Sequence, residues 1–336
     1  MIRFPARTQG GYLGADRLLH SLPQGNPHVR LFSSAILALA FSTSTLLTGV
    51  AAAETAKLVL VAGKPSHPPR MHEFNAGVQL LAKSLASVED LETEVVLNGW
   101  PEDESIFEDA DAVVFYMDGG GRHEVVQEEG RRLKLIDQWV KNGVGVGFMH
   151  FGVEVIADQA GEEFKDWIGG HYEHMFSCNP FWEPMFVTLP DHPITRGVKP
   201  FQIKDEWYFN MRFVGDMAGN KPAEVDGLKF QPILVAVPSD DVRNGPYVYP
   251  KGPYKHIQAN QGRAEAMMWV VNREDGGRGL GFTGGHFHDN WGNDDFRKVV
   301  LNGLLWVAKH EVPEGGVEST VTQADLDANL DKKNRR

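Results

Sequence analysis

Apolar positions along this chain follow two alternating rhythms. Short runs such as Lys57-Leu-Val-Leu-Val-Ala62, Thr93 to Leu97, Asp111-Ala-Val-Val-Phe-Tyr116 and Gly143-Val-Gly-Val-Gly-Phe-Met149 read as buried strands. Between them, Phe74, Val78, Leu81 and Leu85 recur at helical spacing, and a second amphipathic helix ends over Leu133 to Val140. Strands alternating with helices predict βαβ units on a mainly parallel sheet, joined right-handedly, and hence an α/β fold. The second half is less regular. Met185 to Leu189, Pro232 to Val237, Ala266 to Val271 and Arg278 to Gly285 read as strands separated by long loops. A helix is expected over Asp294 to His310, capped by Asn293 or Asp294, with Phe296, Val299, Val300, Leu304 and Leu305 on its apolar side. After Val312 the chain turns polar, and 313–336 reads as a tail with room for one short helix over 322–330.

The first fifty or so residues stand outside this rhythm. Leu31 to Val50 is apolar and rich in small residues, with Arg30 before it and Ala51-Ala52-Ala53 after it. That is the pattern of an export leader over residues 1–53, followed by a domain over 54–312. A single membrane anchor is the rival reading. Cleavage predicts a periplasmic or secreted protein with no membrane contact once the leader is gone.

Charge narrows the partners. Without residues 1–53 the chain keeps 29 basic against 44 acidic side chains, a net charge of −15. Such a balance argues against nucleic acid and anionic membrane surfaces. A homo-oligomer is compatible with the sequence. The single cysteine, Cys178, leaves no internal disulfide, and no motif supports it as a nucleophile.

Ligands of open α/β sheets bind beyond the carboxyl ends of the strands. After the first strand come His67, His72 and Glu73; after the third come Asp118, His123 and Glu124; the fourth runs into His150-Phe-Gly152; the last leads to His286 and His288. His150 occupies a sharp turn of the kind that displays a nucleophile in α/β hydrolases, yet an imidazole there suits proton transfer or metal binding. The middle of the chain adds His171-x-x-His174 and Asp205-Glu206-Trp-Tyr208. On a helical turn His171 and His174 share a face and could reach one cation. His150, His174, Glu206 and His286 together form a ligand set suited to zinc, manganese or iron, so a divalent metal such as zinc is the candidate cofactor. The alternative is a metal-free pocket in which imidazoles, carboxylates and tryptophans grip a polar small molecule. Trp207 and Trp291 are candidate stacking faces for a carbohydrate, with His72 and Asp118 binding its hydroxyls. Gly119-Gly-Gly121 could form an anion nest, but no P-loop lysine follows it. His192 reads as structural.

Several short motifs, taken in order, carry a family resemblance. They are the His-rich loop after the first strand, Gly147-Phe-Met-His150-Phe-Gly152, Gly169-Gly-His171-x-x-His174, Asp191-His-Pro-Ile-Thr195, Asp205-Glu206-x-Tyr208, Gly284-Gly-His286 and Asn302-Gly-x-x-Trp306. From Lys57 to Lys309 the chain resembles the ThuA-like (trehalose utilisation) family. The resemblance implies a class I glutamine amidotransferase-like, flavodoxin-like fold with helices on both faces, and a link to disaccharide or keto-sugar metabolism. It supports His150, His174, Glu206 and His286 as site residues, because each falls on one of these motifs; His150 is then read as the central base or ligand, His286 as a second ligand or acid, and Glu206 as a carboxylate partner. Amidotransferases of this fold carry a cysteine where this chain has His150, so glutamine hydrolysis through a Cys–His–Glu triad is excluded on chemical grounds. Three readings stay open: a sugar-active hydrolase or lyase, a non-catalytic sugar-binding protein, and a structural module of a surface assembly.

Overall fold

Successive side chains of the first strand, β1 (Ala56–Ala62), go to opposite faces and so divide the core in two. Leu58, Leu60 and Ala62 join one apolar cluster, while Val59 and Val61 join another. In the computed structural model, which describes residues 55–333, the same division holds across a sheet of eight strands. The others are β2 (Leu91–Val96), β3 (Ala112–Tyr116), β4 (Gly145–Met149), β5 (Ala223–Val225), β6 (Leu228–Ala236), β7 (Glu265–Asn272) and β8 (Arg278–Phe282). The leader expected over residues 1–53 lies outside the described residues.

The spatial order is β5-β6-β7-β8-β4-β3-β1-β2. From β8 to β2 all neighbours are parallel, and β5 to β8 pair antiparallel. The parallel part runs 2-1-3-4 with β8 in fifth place, which is the flavodoxin-like order expected. Helices α1 (Phe74–Leu85) and α4 (Asp294–Val307) cover one face, and α2 (Arg131–Lys141) with α3 (Glu162–Ile168) cover the other. Asn293 caps α4, its side chain accepting from the Phe296 amide at 3.0 Å. Phe296, Val299, Val300, Leu304 and Leu305 are all buried beneath it, each worth roughly 1.5–3 kcal/mol relative to exposure.

Register places the site. Ala62 lies opposite Tyr116, Tyr116 opposite Met149, and Met149 opposite Phe282. Four parallel strands therefore end in one row, and the residues that follow them emerge side by side.

Two expectations need correction. The strand expected over Met185 to Leu189 is only Met185–Phe186, paired with Phe201–Gln202 in a ribbon outside the main sheet. Phe186 is buried there, but Val187 is exposed. The polar segment after Val312 is packed onto the domain. Thr322 and Asp325 form a capping box for a short helix, α5 (Gln323–Asp327), and Val317 and Leu326 are buried. Among the described residues no helix is long and apolar enough to cross a membrane.

Candidate functional site

Three of the histidines at the strand ends share an unusual backbone. His67, His72 and His150 have φ of 60°, 47° and 52°, in the left-handed region that side chains rarely adopt. Strain of that kind collects at functional sites, where surrounding contacts hold it in place. His150 follows β4 directly and starts a short 3-10 turn through Val153, so the expected sharp turn is present. His286 follows Gly285, whose φ of 104° is open only to glycine. Asp205 fixes this second turn from below, accepting from the Gly285 amide at 2.8 Å and the His286 amide at 3.0 Å.

These turns aim four side chains at one point. His72 Nε2 lies 3.0 Å from both His150 Nε2 and His286 Nδ1, and the last two are 3.3 Å apart. Glu206 Oε2 completes the group, 2.5 Å from His286 Nδ1. All four residues are buried, none more than 3 % exposed. Their partners set which nitrogens carry protons. The Thr283 carbonyl can only accept, so His150 donates to it from Nδ1 at 3.0 Å and turns an unprotonated Nε2 inward, 3.3 Å from the Tyr208 hydroxyl. His72 donates from Nδ1 to Asp118 Oδ1 at 3.0 Å, which leaves its Nε2 unprotonated as well. Asp118 in turn accepts from Ser66 Oγ at 2.9 Å. Asn179 donates to the other oxygen of Glu206 at 2.8 Å. His286 Nε2 is buried without a protein partner.

Burial governs the charges. It holds His72 and His150 well below the usual imidazole range and pushes His286 down to about 4. The neighbouring imidazoles add to the shift of His72 and His150, so all three rings are neutral at pH 7. Burial raises Glu206 to about 8, against the hydrogen bond from Asn179. A second carboxyl beside it, Glu154, is also raised to about 8, by burial and then by the charge of Glu206.

Three neutral imidazoles and the Glu206 carboxyl, with nitrogens 3.0–3.3 Å apart, could hold a cation, whose charge would favour the ionised form of Glu206. Tetrahedral bonds of about 2.0–2.1 Å put ligand atoms roughly 3.3 Å from one another, close to the nitrogen–nitrogen distances found here. Asp118 behind His72 and the Thr283 carbonyl behind His150 are the supports that metal-ligating histidines usually have.

The structure brings His150, Glu206 and His286 together as expected but replaces His174 with His72. Gly169 ends α3 in the left-handed conformation, and Gly170–His171 is a strand, so no helical turn puts His171 and His174 on one face. His174 is instead about half exposed, with Nδ1 4.0 Å from Glu154. Trp207 and Trp291 are core, not stacking faces. Trp207 is packed among Phe186, Phe282 and Phe296, and Trp291 lies between Tyr116 and Phe296. The exposed aromatic beside the centre is Phe181, whose ring sits 5.2 Å from that of His286. His67 stacks on His72 with ring centroids 3.6 Å apart and is more open to solvent.

The remaining sequence candidates have structural work. His123 donates to the Gly152 carbonyl, His192 accepts from the Ile194 amide, and Cys178 is buried. The glycine triplet forms no free nest, because the Gly120 amide is taken by the Glu154 carbonyl. A side chain at Gly119 would sit 2.1 Å from the Phe151 carbonyl oxygen, so this glycine permits close chain packing. Sequence reasoning missed Asn179, Thr283 and Glu154, and left Asp205 without a role.

Residues 58–307 match the model of a family described as "ThuA: Trehalose utilisation". No curated protein matches the chain. Among solved structures, a ThuA-like protein from Parabacteroides merdae aligns at 16% identity with a TM-score of 0.49, covering 81% of this chain and 99% of its own. One from Bacteroides uniformis aligns at 13% identity with a TM-score of 0.48, covering 76% and 91%. A glutamine amidotransferase from Thermotoga maritima aligns at 10% identity with a TM-score of 0.35, covering 76% and 97%.

Proposed function

Since the chain belongs to the ThuA family, described by trehalose utilisation, we propose that it is an exported, metal-assisted enzyme acting on a disaccharide or keto-sugar. The observation that carries the metal reading is the pair of unprotonated ring nitrogens, His72 Nε2 and His150 Nε2, held 3.0 Å apart. Two lone pairs at that distance repel unless a proton or a cation lies between them. His286 and Glu206 supply the remaining ligands, and the nitrogen-rich set favours zinc among the common divalent ions.

A cation held there supplies Lewis acidity toward a sugar carbonyl or hydroxyl oxygen. The chain's own residues do the rest. Phe181 and the half-buried Phe151 and Phe287 offer apolar faces to a sugar ring. Glu154, largely buried and with its carboxyl raised to about 8, can hold a proton at neutral pH and hand it to a leaving oxygen. Export rests on the leader pattern of residues 1–53, and the N-terminal sequence of the mature protein tests it.

A second reading is favoured by the enclosure of the four ligands. Closed four-ligand centres are commonly structural, which fits a metal-stabilised module that binds sugar without turning it over. One experiment separates the two. The purified protein is analysed for metal, then incubated with disaccharides and their 3-keto forms and followed by mass spectrometry. Stoichiometric metal with product formation supports the enzyme; metal and sugar binding without product supports the module; absence of metal sinks both metal readings.

A further inference from the structure

The polar C-terminal segment returns across the domain and grips the loop that carries His72. Lys333 Nζ donates to the carbonyl oxygens of Met71 at 2.6 Å and His72 at 3.0 Å, and pairs with Glu73 at 3.2 Å. Its side chain is 6 % exposed, and the Glu73 carboxylate is buried with it. Three donors thus meet three acceptors, which is the condition for burying an ammonium group at tolerable cost. The neighbouring contacts act in the same place. The Asp331 amide donates to Glu73 Oε2 at 3.0 Å, Asn75 donates to Asp331 at 2.8 Å, and Arg70 donates to the Leu326 carbonyl and pairs with Asp327.

What this clasp holds is the strained residue. The Met71 and His72 carbonyls belong to the two peptide planes on either side of the His72 Cα. One ammonium bonded to both fixes those planes, and with them the direction in which His72 projects. Arg70, at φ 65°, is another left-handed residue of the loop, and it too is bonded to the C-terminal segment. Left-handed backbone at a non-glycine residue persists only where the surroundings over-determine it. Here the surroundings come from more than 250 residues away in sequence.

We propose that Lys333 is a positioning residue of the metal centre: the C-terminal strap locks the His72 loop in ligand geometry and so sets the affinity for a divalent cation. The affinity claim rests on the metal reading above, whereas the locking of the loop stands on the contacts alone.

The test uses the purified protein, zinc as the probe, and three variants: Lys333→Met, Lys333→Arg, and Lys333→Met with Glu73→Gln. The last relieves the carboxylate that Lys333→Met strands. In metal-free protein, backbone hydrogen exchange over residues 70–75 should accelerate in both methionine variants while β4 stays protected. Zinc affinity should fall by about tenfold or more in the same two variants, the size seen when support behind a ligand is lost. Lys333→Arg should restore part of both. Unchanged exchange over 70–75 overturns the locking. Zinc bound equally by every form overturns the proposal while leaving the metal reading intact. Failure of the unaltered protein to bind zinc removes the metal reading and the affinity claim together, and the exchange data then decide the locking alone.

Discussion

His72 and His150 face each other through Nε2 atoms 3.0 Å apart, and each has its Nδ1 committed to an acceptor, Asp118 for His72 and the Thr283 carbonyl for His150. Neither ring can relieve the contact by changing tautomer without breaking the bond behind it. That makes Asp118 a support whose removal is measurable. Asp118→Asn can offer its amide hydrogens to Nδ1, which then loses its proton to Nε2 and closes the lone pair the centre needs. Metal affinity should fall roughly 10–100-fold in a chelator-competition titration. His150→Ala, which deletes a ligand, should leave no stoichiometric metal. Equal affinity in Asp118→Asn and the unaltered protein would show that the contact behind His72 does not tune the centre.

Trp207 serves the core. It is fully buried against three phenylalanines, with its Nε1 donating to the Ile203 carbonyl at 3.1 Å. Trp207→Ala should therefore cost about 3–5 kcal/mol in urea unfolding. Sugar affinity of the protein that remains folded should be unchanged. A specific loss of sugar binding at full stability would return Trp207 to the site.

What the sequence could and could not disclose follows from the range of the signals. Strands β1, β3 and β4 were legible because their apolar runs are local and bury both faces of the sheet. The strand ends followed from them, and so did His150 and His286. H-x-x-H points to His174 as a ligand only on a helical turn, and Gly169 removes that turn. The tryptophans misled because aromatic burial depends on layers distant in sequence. Lys333 carried no local signal at all. Its partners are Met71, His72 and Glu73, and only the folded chain brings them together.

Substrate groups should separate from metal groups by mutation. Phe181 is exposed beside His286, and Glu154 lies outside the cation-binding set. Phe181→Ala should weaken sugar binding, by about tenfold for the loss of one stacking face. Glu154→Gln, which cannot give up a proton, should lower turnover by about 10²-fold or more with substrate affinity largely kept. Metal content should be unaltered in both. Loss of metal in either variant would place that residue in the coordination shell instead.

Acid should unfold the protein partly through a histidine outside the His72, His150, Glu206 and His286 group. His123 is fully buried, donates from Nε2 to the Gly152 carbonyl at 2.8 Å and accepts at Nδ1 from the Val125 amide at 3.3 Å. Burial lowers it to about 4, against opposing contributions from the Gly152 hydrogen bond and Glu124. In the unfolded chain a histidine titrates near ~6.5. Between those values the unfolded state binds the extra proton, so stability falls as pH falls from about 6.5 toward 4. Above that window the contribution is fully present. Between pH 7 and ~4.5 the expected loss from this one group is roughly 2–3 kcal/mol. Urea unfolding at both pH values should show a smaller acid-induced drop in His123→Gln than in the unaltered protein, by that amount. Equal drops in the two proteins would remove His123 from the acid response.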